Sequence, residues 1–418
     1  MTVPTNPAAN PSPGITTALI ATAGVLAAAA PFATDLYLPA FPVMTQELEA
    51  STAAVQLSLT AFLVGAGVGQ LVFGPVSDRL GRRGPLIAGA TLFVLSSAAA
   101  AAAPSIALLV AARLIQGLSG AAGMVIGRTV IADLARGPQA ARAFSALMIV
   151  GGAAPVVAPV AGSLLVEPLG WRGLLWIVAG LGIVSLIAVL VVVPETHPRS
   201  VRVAAGQASV RAGLRELATR QYMGAAVAFA FAFATMMAYI SASPFLYQGL
   251  MGLGTVAYGI LFGVNALVLM VVSGVAMSLT GRFWVRRLAR LGLTLNLAAI
   301  LVLAAMVVAH VSALWLIAPI VVAVGSLGFV FGTVTAMAMD AVPDAGGAAS
   351  AVLGFLQFAL AGLVAPLVGL GGESTAVPLA ITMLVASIVA SAAFSLTAET
   401  ATPAADASSA PPVDAARV

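Results

Sequence analysis

No charged side chain occurs between Gln221 and Gly281, and between Leu291 and Met339 the one ionisable group is His310. Stretches like these cannot cover a water-facing surface, since a soluble domain carries about 25% charged residues. Over all 418 residues the charged share is 8% against 61% hydrophobic, and mean hydropathy is +1.10. The chain reads as an integral membrane protein. With no cysteine, disulfides, thiol catalysis and thiolate metal sites are excluded,. There is also no lysine, so all 18 basic residues are arginine and no nucleotide-binding loop of the G-x-x-x-x-G-K-[ST] type can exist,. The arginines lie in short loops between apolar runs and form no extended basic face, which argues against nucleic acid as a partner,. Neither a metal nor a cofactor is expected, and no catalytic nucleophile–base pair is evident.

Charges and turn residues mark twelve apolar segments long enough to cross about 30 Å of hydrocarbon as helices. They run over 16–41, 53–75, 85–103, 106–132, 142–166, 172–193, 221–245, 255–279, 289–309, 313–338, 347–369 and 375–397. The expected fold class is therefore all-α and membrane-spanning. Fourteen arginines fall in the loops after even-numbered segments and one, Arg172, in the loops on the opposite side. The positive-inside rule then puts both termini in the cytoplasm of a bacterial inner membrane. The first segment follows no basic stretch and is needed as a span, so it is not a cleaved signal,.

One long polar interruption, 194–220, separates two groups of six segments, 16–193 and 221–397. Arg286 and Arg287 stand 204 positions after Arg82 and Arg83, as in a degenerate second copy of one loop. The ends, 1–15 and 398–418, are rich in Ala, Pro and Ser and are expected to be disordered tails,.

An ionisable side chain inside a span costs about 2.5–3.5 kcal/mol or more and marks a functional position. This chain offers Asp35 in the first segment and Arg113 and Arg128 in the fourth, with Asp133 at the fourth segment's inner end. If the first segment ends near Pro42, Asp35 lies roughly 10 Å from the outer face, and Arg113 roughly 12 Å from the same face. Of the two, only Asp35 can titrate, because arginine keeps its proton.

The run Gly74-Pro-Val-Ser-Asp78-Arg79-Leu-Gly81-Arg82-Arg83-Gly84 sits in the turn between segments two and three. Its spacing, G-x-x-x-D-R-x-G-R-R, resembles the loop between helices 2 and 3 of the major facilitator superfamily. Arg113-Leu-Ile-Gln116-Gly117 resembles that superfamily's helix-4 motif R-x-x-Q-G. The resemblance implies two six-helix bundles rocking around a midplane site, with helices 1, 4, 7 and 10 lining the cavity. It further implies an Asp35–Arg113 pair across that cavity, and a gating role for Gly74, Asp78, Arg79, Gly81, Arg82, Arg83, Arg128 and Asp133. Asp78 would meet the start of helix 11 near Gly346 and Gly347.

Segment five carries Ala154-Pro155-Val-Val-Ala158-Pro159-Val-Ala161-Gly162, similar to the superfamily's antiporter motif G-x-x-x-G-P-x-x-G-G. Ala154 and Ala161 depart from that motif, while Pro155 and Gly162 keep it, and Pro159 adds a second proline. Together with Thr34–Ala40 and Ala112–Asp133, it resembles the drug:proton antiporters of the bicyclomycin/chloramphenicol resistance (Bcr/CflA) type. That likeness implies export of small amphipathic drugs in exchange for protons, with Asp35 and Arg113 coupling the two. Tyr37, Gln116, Met236, Tyr239, Asn265 and Gln357 are the expected cavity residues, since adaptable Met and aromatic walls with few polar anchors suit promiscuous binding. The competing expectations are a proton-coupled carrier of a small metabolite such as a sugar, or a non-transporting receptor. Protons, a drug-like molecule and the bilayer are the expected partners of a monomer.

Overall fold

The computed structural model describes residues 16–135, 137–197, 217–343, 346–372 and 375–397. Both tails and most of the 194–220 linker therefore lie outside the described residues. Four helices start where a hydroxyl side chain accepts a first-turn N–H: Thr16, Ser51, Ser105 and Thr219 cap α1 (Thr17–Asp35), α3 (Thr52–Leu80), α5 (Ile106–Leu134) and α7 (Arg220–Pro244),. The others are α2 (Phe41–Glu47), α4 (Arg83–Ala101), α6 (Gly137–Val192), α8 (Thr255–Leu279), α9 (Val285–Val308), α10 (Ile317–Ser326), α11 (Gly328–Asp340), α12 (Gly346–Val368) and α13 (Val377–Ser395).

Eleven described stretches are long and apolar enough to span a membrane. One of them belongs to α6, whose 56 residues would extend roughly 84 Å as a single rod,. It is not one rod: Gly170 has φ 63° and turns the chain back, so α6 supplies two spans, as the sequence pattern expects. Its dihedrals stay helical through Pro155 and Pro159, so Gly170 is its one break.

The first segment forms one span, Thr17–Glu47, as expected, but its helix is not uniform. Rather than one helix over 16–41, α1 stops at Asp35 and the chain continues through a 3-10 turn, Leu38–Ala40, into the short α2. Pro39 explains the break: it lacks an N–H and its ring would strike the carbonyl of residue 35 if the helix ran on. Asp35 is thus a helix terminus, not a mid-helix residue. The tenth segment is likewise divided, into a 3-10 turn at Ala313–Leu316, α10 and α11.

The turn at Gly81 and the start of α7 lie at one end of the molecule, the linker end; the opposite one is the far end. Helices α1, α3, α4, α5 and α6 pack on one another, and so do α7 to α13; between these groups α3 lies against α12 and α6 against α8. One core cluster at the far end draws on both groups, joining Tyr37, Phe41, Met44 and Phe62 to Tyr239, Phe245, Tyr247 and Tyr258. Toward the linker end the cores separate. Leu26, Leu86, Ile126 and Val189 belong to the first group, while Tyr222, Leu293, Val334 and Phe394 belong to the second. The two groups are therefore closed on each other at the far end and part toward the linker end.

Candidate functional site

Asp35 and Arg113 are brought to the far-end closure, both buried. They interact electrostatically but form no ion pair; the direct pairing expected from the sequence is absent here. Asp35 also feels Tyr258 of α8, so it stands between the two helix groups.

Arg113 is held without any acid. Its guanidinium carbon lies 4.6 Å from the ring centroids of both Tyr37 and Phe62. Nη1 donates to Gln116 Oε1, Gln116 Nε2 donates to Ser97 Oγ at 2.6 Å, and Ser97 donates to the Phe93 carbonyl at 2.6 Å. The Tyr37 hydroxyl lies 2.9 Å from Ser58 Oγ, whose own proton goes to the Val55 carbonyl, so Tyr37 is the donor,. Arg113 Nε and Nη2 have no partner. These two donors form the edge of the fork that a carboxylate fits in parallel.

Close approach of α6 to α1 depends on Gly162, where a Cβ would stand 1.9 Å from the Leu36 carbonyl. Gly162 thus faces the broken end of α1 beside Asp35, while Pro159, Val160 and Ser163 meet Gly259 and Gly263 of α8.

Across the closure, Tyr239, Tyr247, Tyr258 and Phe262 form a cycle of rings with centroids 5.8–6.3 Å apart. Asn265 Nδ2 reaches the Tyr247 hydroxyl at 3.5 Å and the Leu261 carbonyl at 2.9 Å, while Asn265 Oδ1 has no hydrogen-bond partner among the described residues. Met236 is partly buried against the shared far-end core and the second group's own core. Gln357, also partly buried, makes no hydrogen bond to the described residues.

Some of the residues expected to act in gating form a second centre, at the linker end. Gly81, with φ 95°, ends α3 by donating its N–H to the Ser77 carbonyl. Arg82 is buried and binds Asp78, Asp133 Oδ2 at 3.2 Å and Ser77 Oγ at 2.8 Å. Asp133 Oδ2 also accepts from the Thr196 hydroxyl at 2.8 Å. Glu195 Oε1 accepts the Arg82 N–H at 2.8 Å, Oε2 accepts the Arg83 N–H at 3.3 Å, and the Arg83 side chain donates to the Leu190 carbonyl at 2.9 Å. Asp78 is bound within its own turn and its side chain is 63% exposed. The side-chain environment of Gly346 and Gly347, its expected partners, lies outside the described residues.

Arg79 and Arg128 are exposed and join no ion pair among the described residues, so neither is part of this cluster there. At Gly74 an added Cβ would meet nothing within 4 Å, so no close packing requires that glycine. Glu195 and Thr196 are missed by sequence reasoning, which absorbs them into the linker. An acid directly after Pro194 at the end of an apolar run is the signal that could have found them. The turn after α8 repeats the pattern: Gly281 has φ 100°, and Arg286 donates to Thr397 Oγ1 at 2.8 Å and to its carbonyl at 2.7 Å.

The profile of the Major Facilitator Superfamily matches residues 23–366, which is most of the chain. The chain belongs to the major facilitator superfamily. It is a multi-span membrane transporter and not an enzyme. Among relatives in this superfamily, the MFS-type transporter YdgK of Bacillus subtilis is 36% identical over 89% of this chain and 93% of its own length. A bicyclomycin resistance protein homolog of Haemophilus influenzae is 27% identical over 87% of this chain and 92% of its own. The multidrug resistance protein MdtL of Escherichia coli is 28% identical over 86% and 91%. A D-xylose–proton symporter has a similar fold, with a TM-score of 0.70 over 89% of this chain and 96% of that one, at 14% identity. So has the xylose transporter XylE of E. coli in a partially occluded inward-open conformation, with a TM-score of 0.68 over 90% and 95% of the two chains, at 12% identity.

Proposed function

We propose that this chain is a proton-coupled exporter of small amphipathic compounds of the chloramphenicol or bicyclomycin kind, of the Bcr/CflA type, working by alternating access in a bacterial inner membrane. The observation that carries the coupling is Asp35: among the described residues it is the one buried carboxylate, and it sits unpaired at the closure between the helix groups. The relatives with drug-resistance names support the substrate class. The arginine distribution supports a cytoplasmic linker end with both termini on that side,. The far-end closure then corresponds to an inward-facing state.

In this mechanism substrate enters from the linker end and meets the partly exposed Met236 and Gln357, and Tyr37, Gln116, Tyr239 and Asn265, buried in this state, join the wall as the far end opens. Ionised Asp35 is attracted to the open edge of Arg113, and rocking of the groups brings the substrate to the outer face. Protonation of Asp35 from outside neutralises that attraction, releases the substrate and allows return. The Arg82 cluster, with Gly81, Asp78, Arg83 and Asp133, sets the shape of the inner turn. The Pro155–Gly162 stretch, with Pro159, keeps α6 close to both α1 and α8.

The test is uptake of a fluorescent cationic dye and of chloramphenicol into inverted vesicles under an imposed pH gradient, for the native protein and Asp35→Asn. Gradient-driven uptake that vanishes in Asp35→Asn is expected. Full uptake in the variant would remove Asp35 as proton carrier. If the native protein takes up neither compound, the drug assignment falls and metabolite transport takes its place.

A further inference from the structure

The far-end closure is bridged by two glutamines that reach across it in opposite directions. Gln56, buried on α3, donates through Nε2 to the Ser241 carbonyl of α7 at 2.9 Å. That carbonyl is open to an outside donor where α7 passes into the π turn: the Phe245 N–H bonds to Ala242 instead of Ser241. Gln248, on the π turn Phe245–Leu250 that follows α7, donates through Nε2 to the Pro39 carbonyl at 3.1 Å, in the 3-10 turn after α1. Each helix group thus offers one glutamine donor and one backbone carbonyl near a helix end.

The seat of Gln56 is specific. A Cβ at Gly369 would lie 2.1 Å from Gln56 Oε1, so only glycine leaves room there. Gln56 Oε1 itself has no protein partner, and an adjoining cavity of about 20 Å³ is lined by Gln56, Thr52 and Thr375. That is room for a single bridging water.

We propose that Gln56 and Gln248 are positioning residues for the transport cycle, a reciprocal pair of latches that hold the far end shut and release it at each turnover. The inference rests on the alternating-access mechanism above. A neutral amide suits this task, since it bonds a carbonyl without taking a charge out of water. Each bond is also weak enough to break in every cycle. Losing one shifts the balance of states about fivefold, and losing both, at separate places, about 25-fold.

Because the chain has no cysteine, spin labels can be placed without background. Labels at the exposed Val43 and Val256 read the far end, and labels at Leu80 and Met277 read the linker end. Pulsed electron-resonance distances are measured on the full chain in lipid nanodiscs, with melting temperature recorded in parallel. Gln56→Leu and Gln248→Leu are each expected to raise the far-end-open fraction about fivefold, and the double variant about 25-fold. The linker end should close reciprocally while the melting temperature stays near native. Lower melting temperatures with unchanged distance populations would show a merely structural role and overturn the latch. If the native protein gives one far-end distance at every pH and gradient, alternating access itself fails, a separate result from native two-state behaviour with unresponsive variants.

Discussion

Arg113 keeps its charge in the core on two ring faces and on a neutral acceptor, Gln116 Oε1, that heads a hydrogen-bonded chain. Each desolvated ring contact contributes up to about 2 kcal/mol, which together offset much of the penalty of burying an unpaired cation. Lysine has no planar group to lie between Tyr37 and Phe62. Arg113→Lys should therefore lower gradient-driven uptake at least about tenfold, read in vesicles against a melting curve that moves by only a few degrees. At the linker end, Arg82→Met removes the donors that hold Asp78, Asp133 and Ser77. It should cost about 1–3 kcal/mol of stability, seen as a lower melting temperature in detergent. Asp35, Arg113, Gln116 and the Arg82 turn were legible in the sequence because a charge or amide inside an apolar run stands out. Phe62, Ser58 and Ser97 were not, since each looks like ordinary helix filling until the fold carries it to Arg113 or Tyr37. The Asp35–Arg113 pair was expected from similar depth and from the resemblance that puts both helices on one cavity, and neither fixes whether the two side chains come within ion-pair distance.

At the scale of elements, the spans were legible because hydropathy and turn residues suffice to count them, including the reversal at Gly170 inside α6. The break in α1 was less so. Pro39 and Pro42 were visible, yet the sequence places the end of the helix at the second proline, whereas the first already ends it four residues upstream. Gly162 depends on that break, because the Leu36 carbonyl fills the space where its side chain would be. Gly162→Ala must therefore push α1 from α6, and backbone atoms cannot yield as a side-chain tip could. The expected cost is about 1–3 kcal/mol, together with reduced transport, checked by thermal unfolding and vesicle uptake on the same preparation.

The molecule as a whole shares a core at one end only, so solvent access should differ between its two faces. Met236 lies between the shared far-end core and the second group's own core. A Met236→Cys variant should react with a membrane-impermeant thiol reagent in inverted vesicles, where the linker end is outermost, and resist it in right-side-out cells; equal labelling from both sides would contradict the inward-facing state. Such an asymmetry is beyond sequence reasoning, since the same residues serve both states of a carrier. The contact of α3 with α12 persists along most of their length. Gly354, Phe358 and Gly362 on α12, and Gly369 just after it, meet Gln70, Gly67, Val64 and Gln56. Leu363, Leu367 and Leu370 are exposed on the opposite face. Saturation mutagenesis of α12 should therefore give a strongly anisotropic record: one stripe where even alanine is rejected, and another where any oily side chain survives, with the boundary between them tracing the line about which the carrier turns.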